Sequence, residues 1–156
     1  VLALYTYTTP AIQNALRDWG EQKVYVALDT SMLWNTYCLI RLSVIYRGRA
    51  VPLVLEVIGH NSSTVALDHY KVLLQTTNRV LAPRHEVVFL ADRGFVDTAL
   101  MAYTGQVLHW RFRIRFKKGI VLYRKGTRKW RKLSVQAAHG HARFYYNVWV
   151  SHQYDC

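Results

Sequence analysis

Lys23-Val24-Tyr25-Val26-Ala27-Leu28-Asp29 and Glu86-Val87-Val88-Phe89-Leu90-Ala91-Asp92 repeat one pattern. Each is an apolar run rich in β-branched or aromatic residues, the composition of a strand buried on both faces. Each ends on an aspartate. A carboxylate at the end of a buried strand is costly unless something satisfies it, and in open α/β sheets ligand sites lie at strand ends. If the two strands are neighbours, both carboxylates open into one crevice. Such a crevice suits Mg²⁺ or Mn²⁺, which take oxygen ligands and keep several waters. Two such ions about 4 Å apart activate a water or hydroxyl and stabilise the leaving oxygen in phosphodiester cleavage. The competing reading is that each aspartate caps a turn. The residues alone leave both open.

Around these strands the chain alternates clearly. Residues 10–20 read as a short helix with Pro10 at its first position, Gly20 as its stop, and Ile12, Leu16 and Trp19 on one face. Tyr37–Tyr46 and Ala50–Ile58 read as two strands joined by the tight turn Arg47-Gly48-Arg49, with Pro52 near the start of the second. The serines of Gly59–Ser63 can cap a helix over Thr64–Val80, where Ala66, Tyr70, Leu73 and Leu74 recur at helical spacing. After Asp92, Arg93-Gly94-Phe95 turns the chain, with Gly94 permitting a positive φ. Asp97 or Thr98 caps a helix through about Tyr103. Trp110–Lys118 alternates basic residues with Phe112, Ile114 and Phe116, a strand with one basic face. Gly119–Leu133 reads as a basic hairpin around Lys125-Gly126, and Arg143–Val150 as a last strand. Three meandering strands followed by helix–strand alternation predict an α/β fold, a mixed sheet with flanking helices.

Charge divides the chain sharply. Residues 1–110 carry nine Lys/Arg against eight Asp/Glu, whereas residues 111–156 carry twelve against the single acid Asp155. The excess behind the net charge of +12 therefore sits in the last third, and a polyanion is its natural partner. Arg111, Arg113, Arg115, Lys117, Lys118, Arg124, Lys125, Arg128, Lys129, Arg131 and Lys132 are the phosphate-contact candidates. With no base-reading module in view, such contacts position DNA rather than specify it. Trp130 among them is a candidate for stacking on an unpaired base, with packing under the hairpin as the alternative. No apolar run approaches the roughly 20 residues of a membrane span. Cys38 and Cys156 form neither a disulfide framework nor a zinc site, and a reducing, intracellular setting is expected. The start at Val1 and the stop at Cys156 suggest a fragment of a longer protein.

Val26-Ala27-Leu28-Asp29-Thr30-Ser31, followed by a hairpin carrying Gly48-Arg49-Ala50-Val51-Pro52-Leu53, resembles the first catalytic motif of the DDE transposases. Leu90-Ala91-Asp92-Arg93-Gly94-Phe95 resembles their second motif in the insertion-sequence-four branch. The resemblance extends over most of residues 12–150. It implies a ribonuclease-H-like fold with the first and fourth strands side by side, so that Asp29 and Asp92 meet as catalytic metal ligands. It implies Mg²⁺ or Mn²⁺ as cofactor, and hydrolysis at transposon ends followed by strand transfer. The partners implied are double-stranded DNA, both transposon ends and target, and a second copy of the chain on that DNA. The resemblance also implies a cytoplasmic, nucleoid-associated setting of prokaryotic type, with no membrane. It divides the chain into an incomplete catalytic core, 1–118, and the start of a basic β-rich insertion, 119–156. The third carboxylate of that family, a Glu in a Tyr-x-x-Arg-x-x-x-Glu helix, has no counterpart here, and cleavage by this chain alone is not expected.

Two alternatives stand beside this reading. One is a complete ribonuclease-H-type nuclease using Asp29, Asp68 and Asp92, although Asp68 reads more simply as a solvent-facing helix acid. The other is a non-catalytic DNA-binding remnant. Thr30 and Arg93 flank the aspartates, with either site or turn roles. Trp34 and Tyr37 read as core, and the His139-Gly140-His141 triplet as loop chemistry.

Overall fold

The computed structural model describes residues 2–3, 5–17, 20, 22–81, 85–116, 119–124, 129–132 and 148–150. Strands β1 (Leu2–Ala3), β2 (Lys23–Leu33), β3 (Tyr37–Tyr46), β4 (Arg49–Gly59), β5 (Glu86–Ala91) and β6 (Arg111–Ile114) form one sheet in the order β1-β4-β3-β2-β5-β6. β2, β3 and β4 are an antiparallel meander, β5 adds parallel to β2, and β6 adds parallel to β5 at the edge. The sheet is mixed, and the first strand of the meander is paired to the strand that comes after the long helix. A second sheet holds β7 (Val121–Arg124), β8 (Lys129–Lys132) and β9 (Val148–Trp149) in the order β8-β7-β9.

Alternation along the strands sets the layers. Val24, Val26 and Leu28 of β2 and Cys38, Ile40, Leu42 and Val44 of β3 are buried on one face. Helices α1 (Tyr5–Arg17) and α2 (Leu67–Val80) pack there, α1 through Leu16 and α2 through Tyr70, Leu73, Leu74, Thr77 and Val80. Phe89, Ile40, Leu42 and Leu74 are fully enclosed, and burying each such side chain contributes about 1.5–3 kcal/mol. The residues between them, including Tyr25, Ala27 and Asp29, lie on the opposite face. After β5 the chain crosses through a 3-10 turn (Arg93–Phe95), α3 (Thr98–Ala102) and a π-helical turn (Tyr103–Val107) to β6. Trp110 anchors that crossover, donating from Nε1 to Asn78 Oδ1 on α2 at 3.1 Å.

Both tight turns of the meander have positive φ at both central residues, the twist that matches paired strands. These are Trp34 (φ 51°) with Asn35 (φ 54°), and Arg47 (φ 47°) with Gly48 (φ 77°). Pro52 falls at an irregularity where the register jumps from Leu42↔Val54 to Ser43↔Pro52, the kind of position where a sheet accommodates proline.

The structure corrects several expectations. α1 begins at Tyr5 and carries Pro10 inside it rather than at its start, so one backbone hydrogen bond of the helix is forgone there. Trp19 lies outside the described residues. β2 does not end on Asp29 but continues to Leu33, because the hairpin ladder to β3 sustains it from Asp29↔Arg41 to Leu33↔Tyr37. α2 begins at Leu67 behind Ala66, which makes no side-chain cap. Ser62 Oγ instead accepts from the Thr64 N–H at 3.1 Å within the loop. The helical stretch after Asp97 runs past Tyr103, through the π turn to Val107. β6 covers only Arg111–Ile114, and Phe112 is exposed at the sheet edge instead of buried. Trp34 and Tyr37 are surface residues, Trp34 being 86% exposed at the hairpin tip. Most of the last expected strand lies outside the described residues, as do His139 and His141.

Candidate metal centre and nucleic-acid interface

The parallel ladder between β2 and β5 runs in register from Lys23↔Glu86 to Leu28↔Ala91. Asp29 and Asp92 are the next residue on each side. Adjacent strands lie about 4.8 Å apart, and strand alternation puts both residues on the face opposite the buried Val26 and Phe89. They line one cleft of about 230 Å³ together with Thr30, Ser63, Thr64, Tyr70, Gly94 and Phe95. Tyr70 and Phe95 meet edge to face at 5.8 Å, fixing the α2 wall to the turn just after Asp92. The Tyr70 hydroxyl accepts from the Val65 N–H at 3.4 Å. Burial foremost pushes its pKa up, against the lowering effect of that hydrogen bond, so the phenol stays neutral.

Each aspartate already has a partner on one oxygen. Arg41 Nη2 donates to Asp29 Oδ2 at 2.9 Å across the β2–β3 hairpin. The Gly94 N–H donates to Asp92 Oδ1 at 2.6 Å, so Asp92 caps the 3-10 turn. The turn-capping reading of Asp92 is therefore realised, and it leaves the second oxygen, Oδ2, outside the cap. Gly94 does not take a positive φ, contrary to expectation. A Cβ there would meet Asp92 Oδ1 at 3.0 Å, so glycine serves close approach to the carboxylate rather than backbone conformation.

Two carboxylates with hydroxyls of Thr30, Ser63 and Thr64 beside them make an all-oxygen donor set, which fits a hard divalent cation. Among the described residues no group of three or more His, Cys, Asp or Glu comes together. Asp68 sits in the first turn of α2, takes Lys71 Nζ at 3.1 Å with its side chain 87% exposed, and is not among the residues lining the cleft. Asp97 caps α3, accepting from the Ala99 and Leu100 N–H groups at 2.7 and 3.2 Å. Arg93 is exposed in the 3-10 turn and is not among the cleft-lining residues.

The sequence reading missed Arg41. Its signal was present: it is the single charged residue of Tyr37–Tyr46, and counting back from the hairpin turn sets it opposite Asp29.

The basic candidates fall in two groups. Arg111 and Arg113 pair with Val88 and Leu90, hence share the face and the strand-end direction of Asp92. The Arg115 N–H donates to the Ala91 carbonyl at 3.2 Å. Arg111 is engaged by Glu86 at 3.0 Å, whereas Arg113 and Arg115 are exposed. In the second sheet, Arg124 ends β7 and Lys129, Arg131 and Lys132 are exposed on β8. Trp130, half-buried, packs beside Tyr123 at 5.3 Å, and Tyr123 stacks on Trp149 at 5.1 Å. Lys117, Lys118, Lys125 and Arg128 lie outside the described residues. No helix among the described residues is long and apolar enough to cross a membrane.

No protein-family profile and no curated protein matches the chain. Among solved structures it is similar to the catalytic domain of Mos1 mariner transposase, at 19% identity and a TM-score of 0.42 over 69% of this chain and 57% of that one. It is similar also to that domain with raltegravir and Mn (19%, TM-score 0.41) and with raltegravir and Mg (20%, TM-score 0.40). The chain thus covers 57–58% of the length of these structures.

Proposed function

We propose that this chain forms part of the catalytic core of a DNA transposase of the insertion-sequence-four type, acting on double-stranded DNA with Mg²⁺ or Mn²⁺. One observation carries the reading: Asp29 and Asp92 come directly after the last pair of a parallel ladder and line a single hydroxyl-rich cleft. Their oxygens would hold the cation. When bound, such a cation lowers the pKa of water and stabilises a leaving oxygen at phosphorus. The chain's own residues supply position and charge. Arg113 and Arg115 hold phosphates along the sheet edge beside Asp92, and the basic strands β7 and β8 extend that contact. Neutral Tyr70 and the Thr30, Ser63 and Thr64 hydroxyls offer hydrogen bonds to water or phosphate without adding charge. Residues 1–118 are read as the core and 119–156 as the basic β-rich insertion. No third acid joins the pair among the described residues, so the chain is proposed to bind metal and DNA without cleaving DNA by itself.

A second reading, a non-catalytic DNA-binding remnant, draws on the bonds that Arg41 and Gly94 already make to the two carboxylates. Calorimetric titration with Mn²⁺ separates the two. Under the metal-site reading, Asp29→Asn and Asp92→Asn each weaken binding at least tenfold while circular dichroism stays unchanged. Equal Mn²⁺ affinity in all three proteins sinks that reading. Metal-dependent nicking of duplex DNA by the purified chain would sink the expectation that it cannot cleave alone.

A further inference from the structure

We infer that Arg41 is the resident counter-ion of Asp29, exchanged for the divalent cation when the site loads and thereby released to a DNA phosphate. The inference rests on the metal-site reading above. Arg41 stands on the central strand of the meander, with apolar Ile40 and Leu42 on either side of it. Nothing in the packing of β3 calls for a charge there. The cross-strand register puts it opposite Asp29, and Nη2 reaches Oδ2 at 2.9 Å.

The pair is incomplete on the arginine side. Nε of Arg41 is buried and has no hydrogen-bond partner among the described residues, although a guanidinium offers a planar fork of donors suited to two oxygens of one carboxylate or phosphate. Burial of an unpartnered donor is unfavourable. Once the side chain lifts off Asp29, a phosphate oxygen over the sheet face would satisfy it. The guanidinium is also the positive charge in contact with the carboxylate that would bind metal, so cation and Arg41 compete for the same carboxylate. The side chains are 36% and 54% exposed, so water screens the pair and exchange is inexpensive. Arg41 is thus a positioning residue: it keeps Asp29 in place without metal and contacts phosphate when metal takes over.

The test is Mn²⁺ titration of the purified chain, with and without a short duplex, in wild type, Arg41→Gln, Arg41→Lys, Arg49→Gln and Asp29→Asn. Arg49, exposed at the start of β4 beside the Arg47-Gly48 turn, controls for the loss of one positive charge. Without DNA, Arg41→Gln binds Mn²⁺ about fivefold tighter than wild type, the size expected for removing a partly exposed ion pair. Arg41→Lys and Arg49→Gln stay within about twofold. With DNA, the strengthening of duplex binding by Mn²⁺ seen in wild type is lost in Arg41→Gln. Unchanged or weaker Mn²⁺ binding by Arg41→Gln, with Asp29→Asn still weakened, overturns the exchange and leaves the metal site standing. An equal gain in Arg49→Gln overturns it as well. Full Mn²⁺ binding by Asp29→Asn overturns both. Arg41→Lys keeps the question decidable if Arg41→Gln does not fold, since a fivefold gain there contradicts the exchange.

Discussion

Asp29 and Asp92 stand one residue beyond the same rung, Leu28↔Ala91, of the parallel β2–β5 ladder. Past that rung the two strands diverge. β5 ends at Ala91 and turns through Gly94, whereas β2 continues to Leu33, held by β3 alone. Asp29 is therefore fixed by a strand and Asp92 by a cap.

The cap can be perturbed separately from the fold. Gly94→Ala brings a Cβ to 3.0 Å from Asp92 Oδ1. The carboxylate can rotate away, so the stability loss stays at about 1 kcal/mol, the scale of one lost cap. The orientation of Asp92 does not survive. Urea unfolding will show a small shift in midpoint, while Mn²⁺ affinity falls at least tenfold. Equal Mn²⁺ binding in Gly94→Ala contradicts the role given to this approach.

Asp97 offers the contrast of a purely structural aspartate. Its carboxylate accepts two N–H groups at the start of α3. Asp97→Ala costs about 1 kcal/mol in urea unfolding and leaves Mn²⁺ affinity unchanged. A large loss of Mn²⁺ binding would place Asp97 in the site.

Core packing sets a larger scale. Phe89, fully buried on β5, shares the helix-covered face of the sheet with Val26. Phe89→Ala costs about 3–5 kcal/mol, a large share of a typical total of about 5–15 kcal/mol. A urea midpoint within error of wild type would contradict the burial described.

The basic edge makes a prediction about salt. Arg113 and Arg115 are exposed, so replacing either by Gln lowers the slope of log affinity for duplex DNA against log salt by about 0.9. Arg111 is already engaged by Glu86, and Arg111→Gln changes the slope less. Equal slopes in all three variants and wild type would remove this edge from the DNA interface.

Cys38 reports on the core through pH. Burial pushes its thiol pKa up, so the folded state disfavours the thiolate. The stability linked to it is fully present below the unfolded pKa of about 8.5 and is lost as pH rises through the higher folded value. Tyr70, also raised by burial, adds to the loss at more alkaline pH. Cys38 should resist alkylation by iodoacetamide at neutral pH until the chain unfolds. Rapid native-state labelling contradicts its burial.

The near-continuous apolar runs Lys23–Leu28 and Glu86–Ala91 were enough to read the two central strands and to single out the aspartates that follow those runs. Tyr37–Tyr46 was legible to the residue because turn chemistry bounds it on its far side. What escaped depends on partners distant in sequence. The extension of β2 past Asp29 carries polar Thr30 and Ser31 and survives through its ladder to β3. Arg41 reaches Asp29 through that same register. Trp34 looks like core by composition, but the turn joining β2 to β3 puts it at the tip. Gly94 looked like a conformational glycine, yet what crowds it is a neighbouring oxygen, Asp92 Oδ1.

The most direct measurement of the central claim is an anomalous difference map from crystals of this chain soaked in Mn²⁺. The account predicts a peak bonded to one oxygen each of Asp29 and Asp92, at the roughly 2.0–2.2 Å of a hard cation on carboxylate oxygen, with Arg41 withdrawn from Asp29. Ordered Mn²⁺ elsewhere, with Arg41 still on Asp29 and no peak between the two carboxylates, would contradict it.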